Sequence, residues 1–169
     1  MTQDQLTVRP ANPGDLAELD RLFAESYPAL LKHDYPPSVL VTAIPLISRA
    51  NPRLLASGTY FLVCGNDGVI LGAGGWTRAG PKGFKARTDV GNIRHVVTHK
   101  EHLRKGIGTR LMTHILETAS TEGLAKLDCL STRTAVPFYR AAGFRELGPI
   151  TVPLAPGIDF PAVHMQRLV

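Results

Sequence analysis

Cysteine, tryptophan and acidic residues are scarce in this chain of 169 residues, which has two cysteines, one tryptophan and 14 acidic against 19 basic residues. Cys64 and Cys129 both lie in runs typical of strands, so we interpret them as buried, reduced thiols of a cytoplasmic protein rather than a disulfide or metal pair. The most apolar run, residues 40–47, contains a threonine and a proline and is too short to cross a bilayer. The N-terminus lacks the basic and apolar regions of a signal peptide, so neither secretion nor membrane insertion is expected.

The excess of basic residues restricts the class of partner. A net charge of +5 suits either a nucleic-acid surface or the attraction of a small polyanion. The cations form one dense group, between Lys100 and Arg110. We find no aromatic platforms and no recognition helix, which disfavours nucleic acid. With 44% hydrophobic and 20% charged residues, residues 1–169 are predicted to form a single globular domain.

The periodicity along the chain predicts the order strand, two helices, three strands, helix, strand, helix and two strands. Asn12 is predicted to cap the first helix, and Pro45 to kink or divide a second one that ends at Asn51-Pro52. A Gly65–Gly68 turn joins two strands as a hairpin. The expected strands are 6–9, 59–64, 69–77, 92–98, 127–131, 144–152 and 163–168. This order predicts an α/β (α+β) fold, a mixed, mostly antiparallel sheet of about seven strands with helices on both faces. An edge strand near the C-terminus would support a homodimer.

The segment from Val96 to Met112 carries the clearest functional signal. A β-branched strand, Val96–Thr98, is followed by a basic, glycine-containing turn, Arg104–Thr109, and then by a helix. The apolar residues of that helix recur every four positions: Ile107, Leu111, Ile115 and Ala119. The first turn of such a helix leaves backbone N–H groups without partners and favours negative charge. Two glycines give an anion access to these groups, so the segment is typical of a phosphate or pyrophosphate site.

Other phosphate-binding motifs fit this chain less well. A Walker loop is missing, and a dinucleotide fingerprint would need a third glycine where Leu111 stands. Asp128 lies near the position of a ribose-binding acid, but without that glycine its position is little evidence for a dinucleotide site. Gly72–Gly75 lies inside a predicted strand and is followed by no helix, so a bulge or close backbone approach is the preferred interpretation.

The segment resembles the acetyl-CoA site of the GCN5-related N-acetyltransferase (GNAT) superfamily, whose signature is Gln/Arg-x-x-Gly-x-Gly/Ala after a strand. Gly106 and Gly108 match the glycines, whereas Leu103 stands at the Gln/Arg position and Arg104 follows it. A second motif of the family, Phe-Tyr followed after three residues by Gly-Phe, matches 138–144. The family's frequent Asn at the start of this helix falls at about Thr132 or Thr134.

The resemblance implies acetyl-CoA as the acetyl donor, bound where the fourth and fifth strands splay apart. The backbone of Arg104–Thr109 would hold the diphosphate, and the edge of Val96–Thr98 would pair with the pantetheine arm and polarise the acetyl carbonyl. The cofactor-binding residues that follow from it are Val96, Val97, Thr98, Arg104, Lys105, Gly106, Ile107, Gly108, Thr109 and Thr132.

The resemblance also implies an acid for the departing thiolate, namely Tyr139, because a phenol is protonated at neutral pH. The positions where the family often has a glutamate base are here Asn92 and about Leu127. Nearby candidates for the base are His95, Asp89 and Asp128, and water is an alternative proton carrier. Strand alternation puts His95 on the face opposite Arg94. The histidines show no metal-ligand spacing with acids or cysteines, so no metal is expected.

The resemblance makes the chain an N-acetyltransferase that acts on a primary amine of a small molecule or peptide, by direct attack in a ternary complex. The acceptor pocket is expected from 26–49, 78–90 and the last strands, with Tyr27, Tyr35, Trp76 and Phe84 as possible lining residues. The missing carboxylate base leaves open a non-catalytic acyl-CoA-binding or sensing module on the same fold. An unrelated nucleotide-binding protein is the third interpretation.

Overall fold

The structure is a computed structural model and describes residues 5–80 and 87–169. Its strands are β1 (Thr7–Pro10), β2 (Tyr60–Cys64), β3 (Ile70–Thr77), β4 (Val90–Thr98), β5 (Lys126–Ser131), β6 (Arg145–Ala155) and β7 (Ile158–Leu168). Its helices are α1 (Leu16–Leu31), α2 (Pro37–Ile47), α3 (Pro52–Leu55), α4 (Ile107–Thr121) and α5 (Val136–Ala141). Short 3-10 turns at Pro13–Asp15 and Lys100–His102 lie ahead of α1 and α4.

The strands form one sheet in the order β1-β2-β3-β4-β5-β7-β6. The pair β4–β5 is parallel, and the other neighbouring pairs are antiparallel. α4 connects the two parallel strands, as a crossover between parallel strands requires. The predicted fold class, a mixed and mostly antiparallel sheet of seven strands, is confirmed.

Two apolar cores cover the two faces of the sheet, because successive residues of β2 alternate between them. Tyr60 and Leu62 face the core that α1 closes, whereas Phe61 and Val63 face the core that α4 closes. On α1 the apolar stripe of Leu19, Leu22 and Phe23 is buried. The four residues predicted to form the inner face of α4, Ile107, Leu111, Ile115 and Ala119, are at most 2% exposed. The helical period in the sequence therefore located both faces correctly.

The helix boundaries in the first third differ from the prediction at two prolines. Asn12 caps the chain as expected, since its side chain accepts a hydrogen bond from the N–H of Gly14. Pro45 does not divide the second helix, and α2 runs through it. The prediction that Asn51-Pro52 only ends a helix is incomplete, because Asn51 caps the short helix α3 and Pro52 occupies its first turn.

The glycines of β3 are explained by close approach. Gly72 faces Ile107, with a hypothetical Cβ 2.7 Å from that side chain, and one on Gly74 would lie as close to Val96. Gly75 lies against the backbone of Thr59. The β3–β4 register also shifts between Ala73 and Gly75. The interpretation of this segment as a bulge or close approach is confirmed.

The last two strands are longer than predicted and form a hairpin around Gly157, which has φ +76°. β6 runs through Pro149 and Pro153, and the second proline lies beyond the end predicted for this strand at residue 152. β6 is the edge of the sheet, where a residue without an N–H group removes no ladder hydrogen bond on the open side.

Candidate functional site

The turn between β4 and α4 leaves a row of backbone N–H groups without backbone acceptors. The first backbone hydrogen bond into α4 runs from Arg110 N to Gly106 O, at 3.0 Å. Within the described ranges, no N–H group from Arg104 to Thr109 donates to a backbone carbonyl. The side chains of Arg104 and Lys105 are exposed beside them. Free N–H groups, a helix N-terminus and two cations together make an environment suited to an anion.

The two glycines of this turn have different structural roles. Gly106 adopts φ +79° just before the helix, a left-handed conformation that disfavours side chains. Gly108 lies in the first turn of α4, where a Cβ would lie 2.8 Å from Cε2 of Phe138. Gly108 therefore permits close packing of α4 on α5. This packing explains the glycine independently of access for an anion.

β4 contains a bulge at His95. Ala73 pairs with Val97 and Gly75 with Arg94, so three steps along β4 oppose two along β3. His95 has φ +41°, and its carbonyl accepts a hydrogen bond of 2.8 Å from the hydroxyl of Tyr60. An extra residue of this kind interrupts the regular alternation of side chains.

The bulge places the side chains of Arg94 and His95 on the same, α1 side of the sheet. His95 stacks on Phe23 of α1, with 5.5 Å between ring centroids. Arg94 Nη1 donates to Oγ1 of Thr77 at 3.1 Å. Thr77 follows Trp76 in β3, and because Trp76 faces the α4 core, Thr77 lies on the α1 side. The prediction that His95 lies on the face opposite Arg94 is therefore wrong, because it assumed an unbroken alternation.

A cavity of about 250 Å³ opens where β4 and β5 diverge. The two strands pair from Val90–Lys126 to Asn92–Asp128 and separate beyond that point. Residues from both faces line the gap, with Cys129 and Tyr139 from the α4 side and Tyr27 and Phe160 from the α1 side. The cavity therefore passes through the sheet. The family resemblance implied such a gap between splayed fourth and fifth strands.

The predicted cofactor residues fall into two groups. Val96, Val97 and Thr132 line the cavity. Thr98 continues β4 toward the turn, where Gly106 and Thr109 border a separate groove of about 490 Å³. The open side of β4 thus leads from the free N–H groups of the turn to the cavity.

Tyr139 is buried in the wall of this cavity beside Cys129. Burial raises the pKa of the Tyr139 phenol well above its usual value, and the adjacent Cys129 thiol raises it further. Burial also raises the pKa of Cys129, to about 12. Both groups are neutral at physiological pH, so the phenol is available as a hydrogen-bond donor to whatever occupies the gap.

The three candidate bases lie in very different surroundings. His95 lines the cavity, and burial together with the neighbouring Arg94 lowers its pKa to about 4. Its Nδ1 lies 3.3 Å from the Tyr27 hydroxyl. Asp128 Oδ1 instead accepts a hydrogen bond from Gln166 Nε2, and Asp89 Oδ1 lies 3.7 Å from Arg87 Nε. Neither carboxylate lines the cavity. The structure thus brings His95 to the site and leaves both carboxylates outside it.

A set of hydrogen bonds that no sequence pattern predicts joins the α1–α2 connection to the β5–α5 loop. The hydroxyl of Tyr35 accepts a hydrogen bond of 2.8 Å from Arg133 N and donates one of 2.7 Å to Pro161 O. Thr134 Oγ1 donates to Asp34 at 2.7 Å. The partners are about a hundred residues apart in sequence, so no local pattern indicates them. These bonds fix the loop that carries Thr132 at the cavity.

Of the four aromatic residues expected near an acceptor, Tyr27 lines the cavity. Tyr35 stacks on Phe160, 4.7 Å between centroids, and is part of the contact just described. Trp76 is 1% exposed and donates to Thr118 Oγ1, so it belongs to the core under α4. Phe84 and part of the predicted 78–90 loop lie outside the described residues.

Both cysteines are free and buried, in agreement with the prediction of reduced thiols. In the described part of the chain, no three His, Cys, Asp or Glu side chains are grouped as metal ligands. None of the helices in residues 5–80 and 87–169 combines the length and apolar character needed to cross a bilayer.

Known proteins with this architecture identify the family. The profile of the acetyltransferase (GNAT) domain matches residues 38–166. A GCN5-related N-acetyltransferase structure from Rhodopseudomonas palustris has a TM-score of 0.78 at 19% identity, covering 100% of this chain and 99% of that one. PaiA N-acetyltransferase from Thermoplasma acidophilum, in complex with coenzyme A, has a TM-score of 0.73 at 14% identity, covering 97% of this chain and 99% of that one. N-acetylglutamate synthase from Neisseria gonorrhoeae, complexed with coenzyme A and N-acetyl-glutamate, has a TM-score of 0.63 at 18% identity, covering 96% of this chain and 35% of that chain.

No curated protein sequence has a significant match to this chain. The profile match extends over more than half of the residues, and the chain belongs to the GNAT acetyltransferase domain family. Its class is therefore acyl transfer, on a fold that binds coenzyme A in solved relatives.

Proposed function

We propose that this protein is an acetyl-CoA-dependent N-acetyltransferase, which transfers the acetyl group to a primary amine by direct attack in a ternary complex. The observation that carries the proposal is the continuity of three features. The free N–H groups of the Arg104–Thr109 turn lead along the open side of β4 to a cavity that contains the Tyr139 phenol. A diphosphate, an amide-bearing arm and a thioester follow each other in that order in acetyl-CoA.

Each part of the cofactor has a chemically matched surface. The N–H groups from Arg104 to Thr109 bind the diphosphate, with the Arg104 and Lys105 cations beside them. The pantetheine amides pair with the open side of Val96–Thr98 in the manner of an added strand. Thr132, whose Oγ1 accepts a hydrogen bond from Ala135 N, contacts the arm from the β5 side of the cavity.

The chemical step uses the same strand and the phenol. Backbone N–H groups of β4 polarise the acetyl carbonyl and stabilise the negative oxygen of the tetrahedral intermediate. The amine attacks the carbonyl carbon, and the C–S bond breaks as the intermediate collapses. Tyr139 donates a hydrogen bond, and then its proton, to the departing thiolate, and water returns to the phenolate the proton that the amine releases.

The attacking amine must lose a proton, and His95 is a poor acceptor for it. An imidazole with a pKa of about 4 binds protons weakly at neutral pH. We therefore assign the proton to water and expect the rate to rise with pH as more of the acceptor amine becomes neutral. Asp89 and Asp128 have no part in this scheme, since they lie outside the cavity.

Related structures support a small acceptor. The Neisseria N-acetylglutamate synthase was crystallised with coenzyme A and an acetylated amino acid. We propose a small-molecule acceptor ahead of a peptide, because the cavity volume is only about 250 Å³. The single domain, the cytoplasmic location and the homodimer remain predictions from the sequence.

The direct test is a panel of amines with acetyl-CoA, in which free thiol release is measured. Tyr139→Phe should lower kcat by about 100-fold while the affinity for coenzyme A changes little, because general acid catalysis contributes on that order. Thr118→Val is a control, since it removes a hydroxyl that accepts a hydrogen bond from Trp76 Nε1 under α4 and does not line the cavity. Equal turnover in the Tyr139 variant would remove the phenol as acid without removing the class of reaction.

A second candidate is a non-catalytic acyl-CoA-binding module, favoured by the absence of any carboxylate among the described residues that line the cavity. Thermal-shift titrations with acetyl-CoA, ATP and NAD identify the ligand, because a ligand that binds the native state raises the melting temperature. Acetyl-CoA binding without thiol release across the panel would favour this module, and a response to ATP or NAD alone would favour an unrelated nucleotide-binding protein.

A further inference from the structure

Arg94 is a cation in the cavity wall without an anionic partner. Arg94 is among the residues that line the cavity, and in the described part of the chain its guanidinium makes one hydrogen bond, from Nη1 to Thr77 Oγ1. Among residues 5–80 and 87–169, no acidic side chain forms an ion pair with it. A guanidinium carries five N–H donors, so most of its binding capacity is unused.

An isolated cation in such a place is costly. Burial lowers the pKa of Arg94, which shows that the charged form is disfavoured there. Arg9 provides the contrast within the same chain, since its guanidinium makes bonds of 2.7 and 2.9 Å to both oxygens of Asp15. The protein thus pairs one arginine internally and leaves another unpaired toward a cavity.

The coenzyme does not supply the missing anion. Arg94 and Thr98 pair with Gly75 and Gly72, which are three residues apart along β3 and so about 10 Å apart, and the N–H groups suited to a diphosphate lie beyond Thr98. Arg94 is also on the α1 side of the sheet, whereas Tyr139 and Cys129 belong to the α4 side. The anion must therefore belong to the second substrate.

Apart from the His95 imidazole and the Tyr27 hydroxyl, which lie 3.3 Å apart, the remaining surroundings on the α1 side are apolar. Tyr27, Leu31, Leu154, Phe160 and Ala162 line this part of the cavity, and no acidic residue of the described chain lines it. A polycationic amine would find no counter-charge there and would be repelled by Arg94. An apolar body with one negative group fits both the wall and the guanidinium.

We propose that Arg94 binds the carboxylate of the acceptor, and that the acceptor is a small amine with an apolar body and a free carboxylate. The inference rests on the proposed acetyl transfer and specifies its substrate class. A carboxylate matches the planar fork of a guanidinium with two parallel hydrogen bonds, and Thr77 holds that fork in place.

The test uses free leucine, leucinamide and isoamylamine, which share an apolar body and differ in the carboxylate, together with other apolar amino acids treated in the same way. Two quantities are measured: thiol release with acetyl-CoA, and the thermal shift of the coenzyme A-saturated protein on adding each compound. The variants are Arg94→Gln, Arg94→Lys and the control Arg53→Gln, which replaces an exposed arginine.

We expect the carboxylate compounds alone to be acetylated efficiently and to raise the melting temperature. Arg94→Gln should raise KM for them about 10- to 100-fold, the usual effect of losing charge-assisted hydrogen bonds. Coenzyme A affinity should be unchanged, Arg94→Lys should recover part of the loss, and Arg53→Gln should behave like the unmodified protein.

Three outcomes overturn the inference: acetylation of carboxylate-free amines as efficiently as of their carboxylate counterparts, no dependence of carboxylate binding on Arg94, or no binding of any carboxylate. If thiol is released from carboxylate-free amines, acetyl transfer stands and the role of Arg94 fails. If carboxylates stabilise the protein through Arg94 but no thiol is released, the binding site stands and the catalytic proposal fails. If no carboxylate binds at all, the inference is wrong.

Discussion

Gly108 of α4 lies directly against the ring of Phe138 of α5, so that a Cβ on Gly108 would be 2.8 Å from Cε2 of the ring. The contact joins the two motifs that carry the family resemblance, the glycine-containing turn and the Phe-Tyr pair. Because Tyr139 follows Phe138, a displacement of the ring would also move the phenol in the cavity.

The first prediction is that Gly108→Ala destabilises the protein by about 1–3 kcal/mol, the usual cost of overpacking. Phe138→Leu made alone costs stability by loss of packing, but in the double variant the smaller side chain makes room for the alanine. The measurement is denaturant unfolding of the four members of this cycle. Additive effects would show that the two residues are not coupled.

The second prediction separates backbone strain from ligand binding at the two ends of α4. Gly106 has φ +79° and Gly123 has φ +77°, so alanine at either position costs about 1–2 kcal/mol of stability. Only Gly106 belongs to the turn with free N–H groups. Calorimetry should therefore show weaker coenzyme A binding for Gly106→Ala and unchanged binding for Gly123→Ala. Equal binding by both variants would contradict the assignment of the diphosphate to this turn.

The third prediction concerns stability at acidic pH. Burial lowers the pKa of His95 in the folded state to about 4, from 6.5. Between these values the unfolded chain binds more protons, so the stability present above pH 6.5 is lost as the pH falls toward 4. The loss is at most roughly 3 kcal/mol.

Unfolding measured across this pH range should be less pH-dependent in His95→Asn, which lacks the imidazole and tolerates a positive φ. His33→Asn, at an exposed position, is the control and should keep the original dependence. A His95 variant with an unaltered pH profile would show that this ring does not control acid sensitivity.

The fourth prediction is that Arg94→Met stabilises the unliganded protein. The substitution replaces a half-buried cation that lacks an anionic partner by an apolar side chain of similar length. A gain of about 1 kcal/mol would raise the melting temperature by roughly 2–4 °C in a domain of this size. The exposed Arg53→Met should change it little. A lower melting temperature for Arg94→Met would indicate that the guanidinium has a structural partner instead of a binding role.

The periodic parts of the fold were predictable because their signals are local. The apolar stripe of α4 and the Gly65–Gly68 hairpin each follow from a few neighbouring residues. Pro45 was misleading, since the cost of a proline depends on whether its site is a helix turn that tolerates the ring. Only the assembled fold fixes that.

The candidate site divides in the same way. The order of strand, glycine-containing turn and helix is a local signal. The sequence by itself therefore determined the position of this turn and the family. Only the tertiary structure decided that His95 shares a side with Arg94, that Tyr35 anchors the β5–α5 loop, and that Arg94 lines a cavity where no acidic residue of the described chain pairs with it. The physical reason is that a bulge, a hydrogen bond across a hundred residues and the absence of a charge partner all depend on which distant segments the sheet brings together.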